Sequence, residues 1–516
     1  MIGEAQSRRE PISALLSCLL LALPLISSAF AAEPSVSTLI RQGKLPEAEQ
    51  ALKKTLARTP HDASALTLLG EVRIKQHKYK KAEELFQQAV QANPRISATY
   101  LQLGSLYADE QRVDEAISAY EAAMQLQPQS VKAKAEVAAL YQQKGNHQKS
   151  LDLAKSIPIV SRPERLLPVM AADYAALNQS DEAQKVIGQI FQRAPANPEL
   201  VPQLARIFLR QGMAGDAGEL LRIAGDHQKI TPSFLAALAT VQSEAGKVEQ
   251  AKVTLTKALE LDPNHADALF EKARQEGTAG DWSAATISLK KILQVAPPRL
   301  DVLQSLVFAS MQADDLQTAH DAALDLYEMS PSRRDSALAL AVVLVRALHW
   351  GEAKPVLEKI LAADPNDKKA QLAMGVVQYN LGNIDPAAQL LTASLGQGTA
   401  DAEAHYMLGL VAKQRGDFPA AANEMETSLA TNPNKPEALS SLGQLYLQLN
   451  QPEKARAILE KAVARVPDDS QNHYQLGLAY RKLGMPGPAR EQMELFQKLS
   501  ARKVPEPTGE ATAVPK

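Results

Sequence analysis

A repeat of 34 residues constrains this chain more than any other feature of its sequence. Prolines recur at steps of 34 residues or close to twice that distance, and alanines recur at a second fixed point of the period. The prolines are Pro60, Pro94, Pro128, Pro195, Pro263, Pro297, Pro331, Pro365, Pro433 and Pro467. The alanines are Ala48, Ala82, Ala116, Ala183, Ala217, Ala251, Ala285, Ala319, Ala353, Ala387, Ala421, Ala455 and Ala489, interrupted only by the small residue Ser150. Such a series indicates one structural unit stacked many times on itself.

A single period shows what kind of unit this is. Tyr100, Leu103 and Tyr107 have the spacing of one face of a first helix, which we expect to end near Glu110. Gly104 lies beside Leu103 and leaves room for a second helix to approach closely. Each unit therefore begins with a helix, called here the A helix, whose buried face contacts the helix that follows it.

The same period continues into a second helix, called here the B helix. Asp114 is placed to cap its N-terminus, and Ala116, Tyr120 and Ala123 form its buried face. Pro128 ends the helix, because proline has no backbone N–H to donate. Ala116 belongs to the recurring alanine series, so the series marks the point where the two helices nearly touch.

The turn between the A and B helices has a signature of its own. One point of the period carries the residues that most readily adopt the left-handed backbone conformation that ends a helix. They are Gly43, Gly145, Gly212, Gly246, Gly280, Gly382, Gly416 and Gly484, with Asn178 and Asn450 in two further units. The pattern predicts a tight turn between two antiparallel helices.

These positions together resemble the signature of the tetratricopeptide repeat (TPR) family. The period that matches it best carries Tyr100, Leu103, Gly104, Tyr107, Ala116, Tyr120, Ala123 and Pro128. The resemblance implies an all-α fold, a right-handed superhelical solenoid of antiparallel helix pairs, with one half-unit and about thirteen pairs over residues 32–503. Arg162, Lys229 and Thr399 replace the recurring proline, so we expect local irregularity there. Residues 504–516 are predicted to be a disordered tail.

The N-terminus has the pattern of an export signal. Two arginines precede an apolar run over residues 12–26, and the small residues after the run predict cleavage after Ala31. Residues 1–31 would then be a signal peptide, and the chain would be periplasmic or secreted with no transmembrane span after cleavage. An uncleaved anchor is the alternative. Lipidation of Cys18 fits less well, because the apolar run continues beyond that residue.

The sequence contains none of the motifs that usually indicate catalysis. It has no Gly-rich phosphate loop, no nucleophile elbow and no histidine pair with the spacing of a helical zinc site. With a net charge of −2, it lacks the basic surface typical of nucleic-acid binding. We therefore expect no enzyme activity, no cofactor and no metal. Trp282 and Trp350 occupy equivalent points of the period, and we interpret both as packing residues.

The resemblance also implies a binding surface, since A helices line the inner face of the family's superhelix. In four neighbouring units the inward-facing positions are apolar: Phe308, Met311, Leu338, Val342, Val345, Leu372, Val376, Tyr379, Tyr406 and Leu410. We predict that these ten residues form a partner groove for a helix or an extended segment of another protein. Internal packing of the superhelix and self-association stay open, because buried and exposed apolar stripes look alike in sequence.

The functional expectation follows from the resemblance. An exported chain made of these repeats is similar to helical-repeat proteins of bacterial cell envelopes, which implies a non-catalytic protein–protein interaction scaffold. Its complex would serve exopolysaccharide secretion or another envelope process. Direct binding of an exported carbohydrate is the alternative, for which Tyr379 and Tyr406 are the only tyrosines in the stripe. The carboxylate clamp known in the family would use Lys132, Arg165 and Arg206, but the asparagines that accompany such residues are missing.

Overall fold

The protein is entirely helical in every part that the computed structural model describes, which comprises residues 35–226, 230–331, 333–396 and 401–502. These ranges contain 28 α-helices, one short 3-10 helix and no strand, which confirms the predicted all-α class. The first fourteen α-helices are α1 (Val36–Arg41), α2 (Leu45–Arg58), α3 (Ala63–Lys75), α4 (Tyr79–Ala92), α5 (Ser97–Asp109), α6 (Val113–Leu126), α7 (Val131–Gln143), α8 (His147–Ser156), α9 (Leu166–Ala176), α10 (Ser180–Arg193), α11 (Leu200–Arg210), α12 (Ala214–Gly225), α13 (Pro232–Glu244) and α14 (Val248–Leu261). The others are α15 (Ala266–Thr278), α16 (Trp282–Val295), α17 (Leu300–Gln312), α18 (Leu316–Met329), α19 (Arg334–Arg346), α20 (Trp350–Ala363), α21 (Lys368–Asn380), α22 (Ile384–Leu395), α23 (Ala402–Gln414), α24 (Phe418–Thr431), α25 (Pro436–Gln448), α26 (Pro452–Arg465), α27 (Ser470–Lys482) and α28 (Pro486–Arg502).

The helices pack in pairs along the chain. From α3 onward, odd-numbered helices are A helices, and each packs against the B helix that follows it. A shortened α1 of six residues precedes α2 at the start of the described chain. The close approach within a pair is visible at Gly104, where a Cβ atom would lie 2.7 Å from the ring of Tyr120. Ala116 is fully buried at the same crossing, as expected for a residue that must be small.

The turns between A and B helices follow the sequence signature. All eight glycines and both asparagines of the predicted series have positive φ, for example 76° at Gly145 and 57° at Asn178. The prediction of a left-handed residue at this point is therefore confirmed. Residues of other types adopt the same conformation in the remaining units, including Leu348 with φ of 63°. The turn geometry belongs to the unit and is imposed even on residues that disfavour it.

The capping role predicted for Asp114 is wrong. Helix α6 begins at Val113, and its N-cap residue Arg112 makes no side-chain capping bond. Asp114 lies within the first helical turn, where a carboxylate is favoured by the positive end of the helix dipole. An acid at either place gives nearly the same sequence pattern. True aspartate caps occur elsewhere, at Asp62, Asp281, Asp315, Asp367, Asp401, Asp417 and Asp469.

The array is irregular near Arg162, as expected from the missing proline. Helix α8 has only 10 residues, and the 3-10 turn Ile159–Ser161 separates it from an α9 of 11 residues. The Arg162 guanidinium donates a hydrogen bond of 3.0 Å to the Ile157 carbonyl and so braces this connection. Lys229 and Thr399, the other two departures, lie outside the described residues.

Two further sequence predictions fall outside the described ranges. The predicted signal peptide, with its cleavage point after Ala31, lies before residue 35, and the predicted tail over 504–516 lies after residue 502. Among the helices that the structure describes, none combines the length and the hydropathy needed to span a membrane.

Candidate partner-binding groove

The A helices line the inner side of the curved array. A helices of adjacent units contact one another directly, as α17 does with α19 and α19 with α21, whereas their B helices lie further apart. The side of a curved stack on which helices are closer is its concave side. The predicted partner groove, carried by α17, α19, α21 and α23, therefore lies on the concave face.

The predicted groove residues divide into three classes. Phe308 and Val342 are exposed, with 56% and 41% of their surface accessible. Leu338 is 8% exposed and belongs to the core shared by α15 to α21, so the prediction of an accessible contact is wrong for this residue. Its place on the helix turns it toward the neighbouring A helices. The remaining seven are half-buried: Met311, Val345, Leu372, Val376, Tyr379, Tyr406 and Leu410.

The half-buried residues pack with their inner edges against the cores of neighbouring units. Met311 and Val345 contact the core of α15 to α21, and Leu372 and Val376 contact the smaller core of α22 and α23. Their outer edges stay accessible and connect the exposed side chains across adjacent helices. The stripe is thus a ledge, with its base in the cores and its upper surface exposed.

An apolar pocket extends this ledge by one unit toward the N-terminus. It has a volume of about 450 Å³ between α15, α16 and α17, and Phe270, Trp282 and Phe308 line it. The rings of Trp282 and Phe308 meet edge to face with centroids 5.4 Å apart. Gly277 makes room for the indole, since a Cβ atom there would lie 2.8 Å from the Trp282 ring. Volume and lining are typical of sites that take a large apolar group.

Sequence reasoning missed Phe270 and the part of Trp282 that stays accessible. Phe270 occupies an inward-facing position of α15, which the predicted stripe did not include because its neighbours there are polar. Trp282 does pack, as expected, but one side of its ring faces the pocket. The available signal was Gly277, because the missing side chain there admits the Trp282 indole. Trp350, at the equivalent point of its unit, is half-buried against the core of α15 to α21, in keeping with the packing interpretation.

Charges beside the pocket are paired within the protein. The Arg274 guanidinium donates two hydrogen bonds, of 2.7 and 2.8 Å, to the buried carboxylate of Glu271. This pairing raises the pKa of Arg274, against the effect of burial. Ser243 donates a further bond of 2.8 Å to Glu271. The pocket therefore offers an apolar interior with a neutralised rim.

A second charge cluster stands near the other end of α15. Arg206 and Arg299 donate to the two oxygens of Asp267 at 2.7 and 2.9 Å. Burial acts to raise the pKa of Asp267, but the two arginines outweigh it, and the pKa is lowered overall. Asp267 therefore holds a charge that is already satisfied. The cluster links α11, α15 and the start of α17 across the concave face.

The residues of a possible carboxylate clamp are only partly assembled. Arg165 and Arg206 line a pocket of about 240 Å³ together with Arg210, but Lys132 does not line it. Arg165 pairs with Glu136 at 3.0 Å, and Arg206 is held by Asp267. Two of the three guanidinium groups are thus engaged within the chain.

Tyr379 and Tyr406, considered for carbohydrate binding, are both half-buried. The ammonium group of Lys435 lies 4.8 Å from the ring centre of Tyr406 and covers one of its faces. Burial raises the pKa of both tyrosines. Tyr406 thus has one face on which a sugar cannot stack, and Tyr379 is only partly accessible.

One cluster of catalytic residue types, on α8 and α9, has no accessible nucleophile. His147 Nδ1 lies 2.8 Å from Asp173 Oδ1, and burial raises the pKa of Asp173 to about 6. Ser150 is fully buried and donates to the Ala138 carbonyl at 2.8 Å, so this cluster is structural. Among the described residues, no group of three or more His, Cys, Asp or Glu side chains is arranged to hold a metal.

Comparison with known families identifies the repeat. Two models of the tetratricopeptide repeat match the sequence, one over residues 39–104, 344–411 and 412–477 and the other over residues 97–130 and 232–265. Together these matches span about half of the chain. No curated protein sequence matches it.

Solved structures with similar architecture differ widely in what they are. The chain is similar to the crystal structure of MamA at 24% identity, covering 32% of this chain and 96% of that one, with a TM-score of 0.29. It is similar to the APC/C hetero-tetramer Cut9–Hcn1 at 15% identity, covering 91% and 93%, with a TM-score of 0.41. PilW, a type IV pilus biogenesis factor, is 18% identical over 39% of this chain and 92% of its own, with a TM-score of 0.35. Likeness at this level concerns the fold alone.

Proposed function

Because the chain belongs to the tetratricopeptide repeat family, we propose that it is a non-catalytic protein–protein interaction scaffold whose partner binds along the concave ledge from α15 to α23. The observation that carries this proposal is the exposure of Phe308 and Val342 on that face, beside an aromatic pocket. Exposed apolar groups that adjoin each other on the inside of a curved array favour a binding role over a purely structural one.

The partner surface that fits best is an apolar protein segment. The pocket beside Phe308 is large enough for a bulky side chain, and the ledge beyond it offers contacts at successive helices. Charges near the pocket are paired within the chain, so they attract a partner only weakly. They also disfavour a partner that would bury an unpaired charge there. A helix with a row of apolar side chains, or an extended apolar strand, matches this surface.

We further propose that the scaffold acts in the bacterial cell envelope. The support is the sequence of the first 31 residues, which has the charge, apolar run and small residues of an export signal. In that compartment the array would hold together components of an exopolysaccharide secretion complex or of another envelope complex. Direct carbohydrate binding is less favoured, because Lys435 covers one face of Tyr406 and Tyr379 is half-buried.

The proposal is tested by comparing capture by the native full-length chain with capture by Phe308→Glu/Val342→Glu. Both residues are exposed, so the double variant should fold, which circular dichroism checks. We expect crosslinked pull-downs from the envelope fraction to recover a specific protein with the native chain and at least about tenfold less of it with the variant, since hot-spot losses reach 2 kcal/mol or more.

The matched control is Ile287→Glu on the B helix α16, because Ile287 is 69% exposed but lies away from the concave face. It should capture the same protein as the native chain. Equal capture by all three forms would place binding elsewhere on the array. Recovery of polysaccharide without any protein would support the carbohydrate alternative.

A further inference from the structure

Units far apart in the sequence touch at one place in the described array. The Arg333 guanidinium donates a hydrogen bond of 2.9 Å to the Glu110 backbone carbonyl, across 223 residues. Its second partner is Gln111 Oε1 at 3.5 Å. Every other hydrogen bond between side chains, or from a side chain to the backbone, among the described residues joins positions at most 61 apart. We call this contact the seam.

The seam also has an apolar half. Tyr79, the first residue of α4, packs against the core shared by α15 to α21, and α4 contacts α18 directly. Tyr79, Tyr327 and Pro331 line a cavity of about 290 Å³ between the two sides. A second cavity, of about 390 Å³, lies between Tyr79 and the segment that begins at Pro297. The surfaces thus touch without fitting closely, unlike the interior of a helix pair.

Charges of opposite sign face each other across the same contact. Lys78, Lys80 and Lys81 line the smaller cavity from one side, and Glu328 lines it from the other. His77 lies near enough to Asp325 to oppose the rise of its pKa that burial causes. The two sides are electrostatically complementary, so the contact is favourable but accessible to salt.

The seam does not arise from the packing of neighbouring units. In a stack of this kind each unit contacts only its neighbours, and the path of the array is the sum of many small rotations between units. The hydrogen bond from Arg333 to Glu110 spans about six and a half periods. It therefore forms only when the rotations between all the intervening units add up to the curvature that brings these two residues together. The shortened helices of the irregular region near Arg162 lie inside this loop. A small change at each interface would separate the two sides while every helix pair stays folded.

We propose that the seam is a latch that holds the array in its wound form, and that its release lets the array extend as a unit without unfolding. The latch consists of residues 77–81 and 108–111 on one side and of residues 297–301 and 327–331 together with Arg333 on the other. Helices α17 and α19, which carry Phe308 and Val342, adjoin the second side. Release therefore changes the curvature of the groove as well as the length of the array. The proposal does not depend on the partner or on the function proposed above.

The test is a distance measurement across the seam by pulsed electron paramagnetic resonance. Spin labels at Glu84→Cys on α4 and Asp321→Cys on α18 report on the two helices that touch, and both positions are exposed and outside the cavities. The full chain carries Cys18→Ser, which removes its one native cysteine. We expect a single short and narrow distance in the otherwise native array.

Releasing the latch should lengthen and broaden that distance. The double variant Tyr79→Ala/Arg333→Ala removes both halves of the contact. If circular dichroism shows that it has lost helix, Arg333→Ala alone is used in its place. The matched control is Arg346→Ala, whose guanidinium also donates to a backbone carbonyl, that of Met311 at 3.3 Å, but within the neighbouring unit. It should leave the distance unchanged. A long distance in the native array would overturn the proposal. So would a short, narrow distance that survives in Tyr79→Ala/Arg333→Ala or, if that variant does not fold, in Arg333→Ala.

Discussion

At one shared point of the repeat, six of the described A helices carry a glycine against which a large side chain of the paired B helix packs. At each, a Cβ atom would lie 2.4–2.9 Å from that side chain, closer than carbon atoms approach in proteins. The pairs are Gly70–Phe86, Gly104–Tyr120, Gly375–Leu391, Gly409–Met425, Gly443–Leu459 and Gly477–Met493. At the scale of the residue, the helix pair therefore depends on a missing side chain opposite a large one.

Gly104→Ala should destabilise the α5–α6 pair by about 1–3 kcal/mol, because the new methyl group must displace the buried Tyr120 ring. Gly188→Ala is the matched control. Gly188 lies inside α10 with nothing within 4 Å of a Cβ atom, so the change should stabilise that helix by up to about 1 kcal/mol. Urea denaturation followed by circular dichroism measures both. Equal effects of the two substitutions would mean that α5 and α6 are not in close contact.

The buried carboxyl group of Glu110 should make the stability of the protein depend on pH. Burial raises its pKa from 4.5 to about 7, against the effect of Arg112. Because the folded pKa lies above the unfolded value, the contribution of Glu110 is fully present below pH 4.5 and is lost as pH rises through about 7. Glu110→Gln should remove this dependence, which amounts to roughly 3 kcal/mol at full loss.

The measurement is the urea midpoint of native and variant chains at several pH values across that interval. Glu115→Gln is the control, because Glu115 also pairs with Arg112, at 3.0 Å, but its side chain is half exposed. It should leave the pH dependence in place. A native chain whose midpoint does not fall between pH 5 and 8, relative to Glu110→Gln, would contradict the burial of this carboxyl group.

At the scale of the element, the turn between the A and B helices is the most uniform feature of the array. Its left-handed residue is glycine or asparagine in ten units, and this could be predicted from sequence because only a few residue types adopt that conformation at low cost. Helix starts could not be predicted as well. An aspartate favours both the cap and the first turn, so the role of Asp114 was decided by backbone geometry that the pattern does not specify.

Leu348 is the turn residue least suited to its conformation. It has φ of 63° and is 66% exposed, so its side chain contributes little packing to offset the backbone cost. Leu348→Gly should therefore stabilise the α19–α20 pair by about 1 kcal/mol. Gly382→Ala, at the same point of the next unit, should destabilise by a similar amount. Thermal midpoints by circular dichroism would show opposite shifts, and shifts of the same sign would contradict the shared turn geometry.

At the scale of the whole molecule, the features that could be predicted from the sequence are those that depend on contacts between neighbouring units. The helix pairs, their turns and their small residues repeat every 34 residues, so each copy reinforces the same interpretation. The aromatic pocket was missed because it combines residues from two units, with Phe270 and Trp282 from one and Phe308 from the next. The seam was missed because it depends on accumulated curvature, which no single period contains.

Site-specific photo-crosslinking would show whether a protein segment lies on the concave ledge. A benzophenone amino acid replaces Phe308 in one full-length chain and Ile287 in another, and cells that express each are irradiated. We expect a protein adduct at position 308, mapped by mass spectrometry to an apolar segment of the partner, and none at position 287. Adducts of equal yield at both positions, or none at position 308, would contradict this expectation.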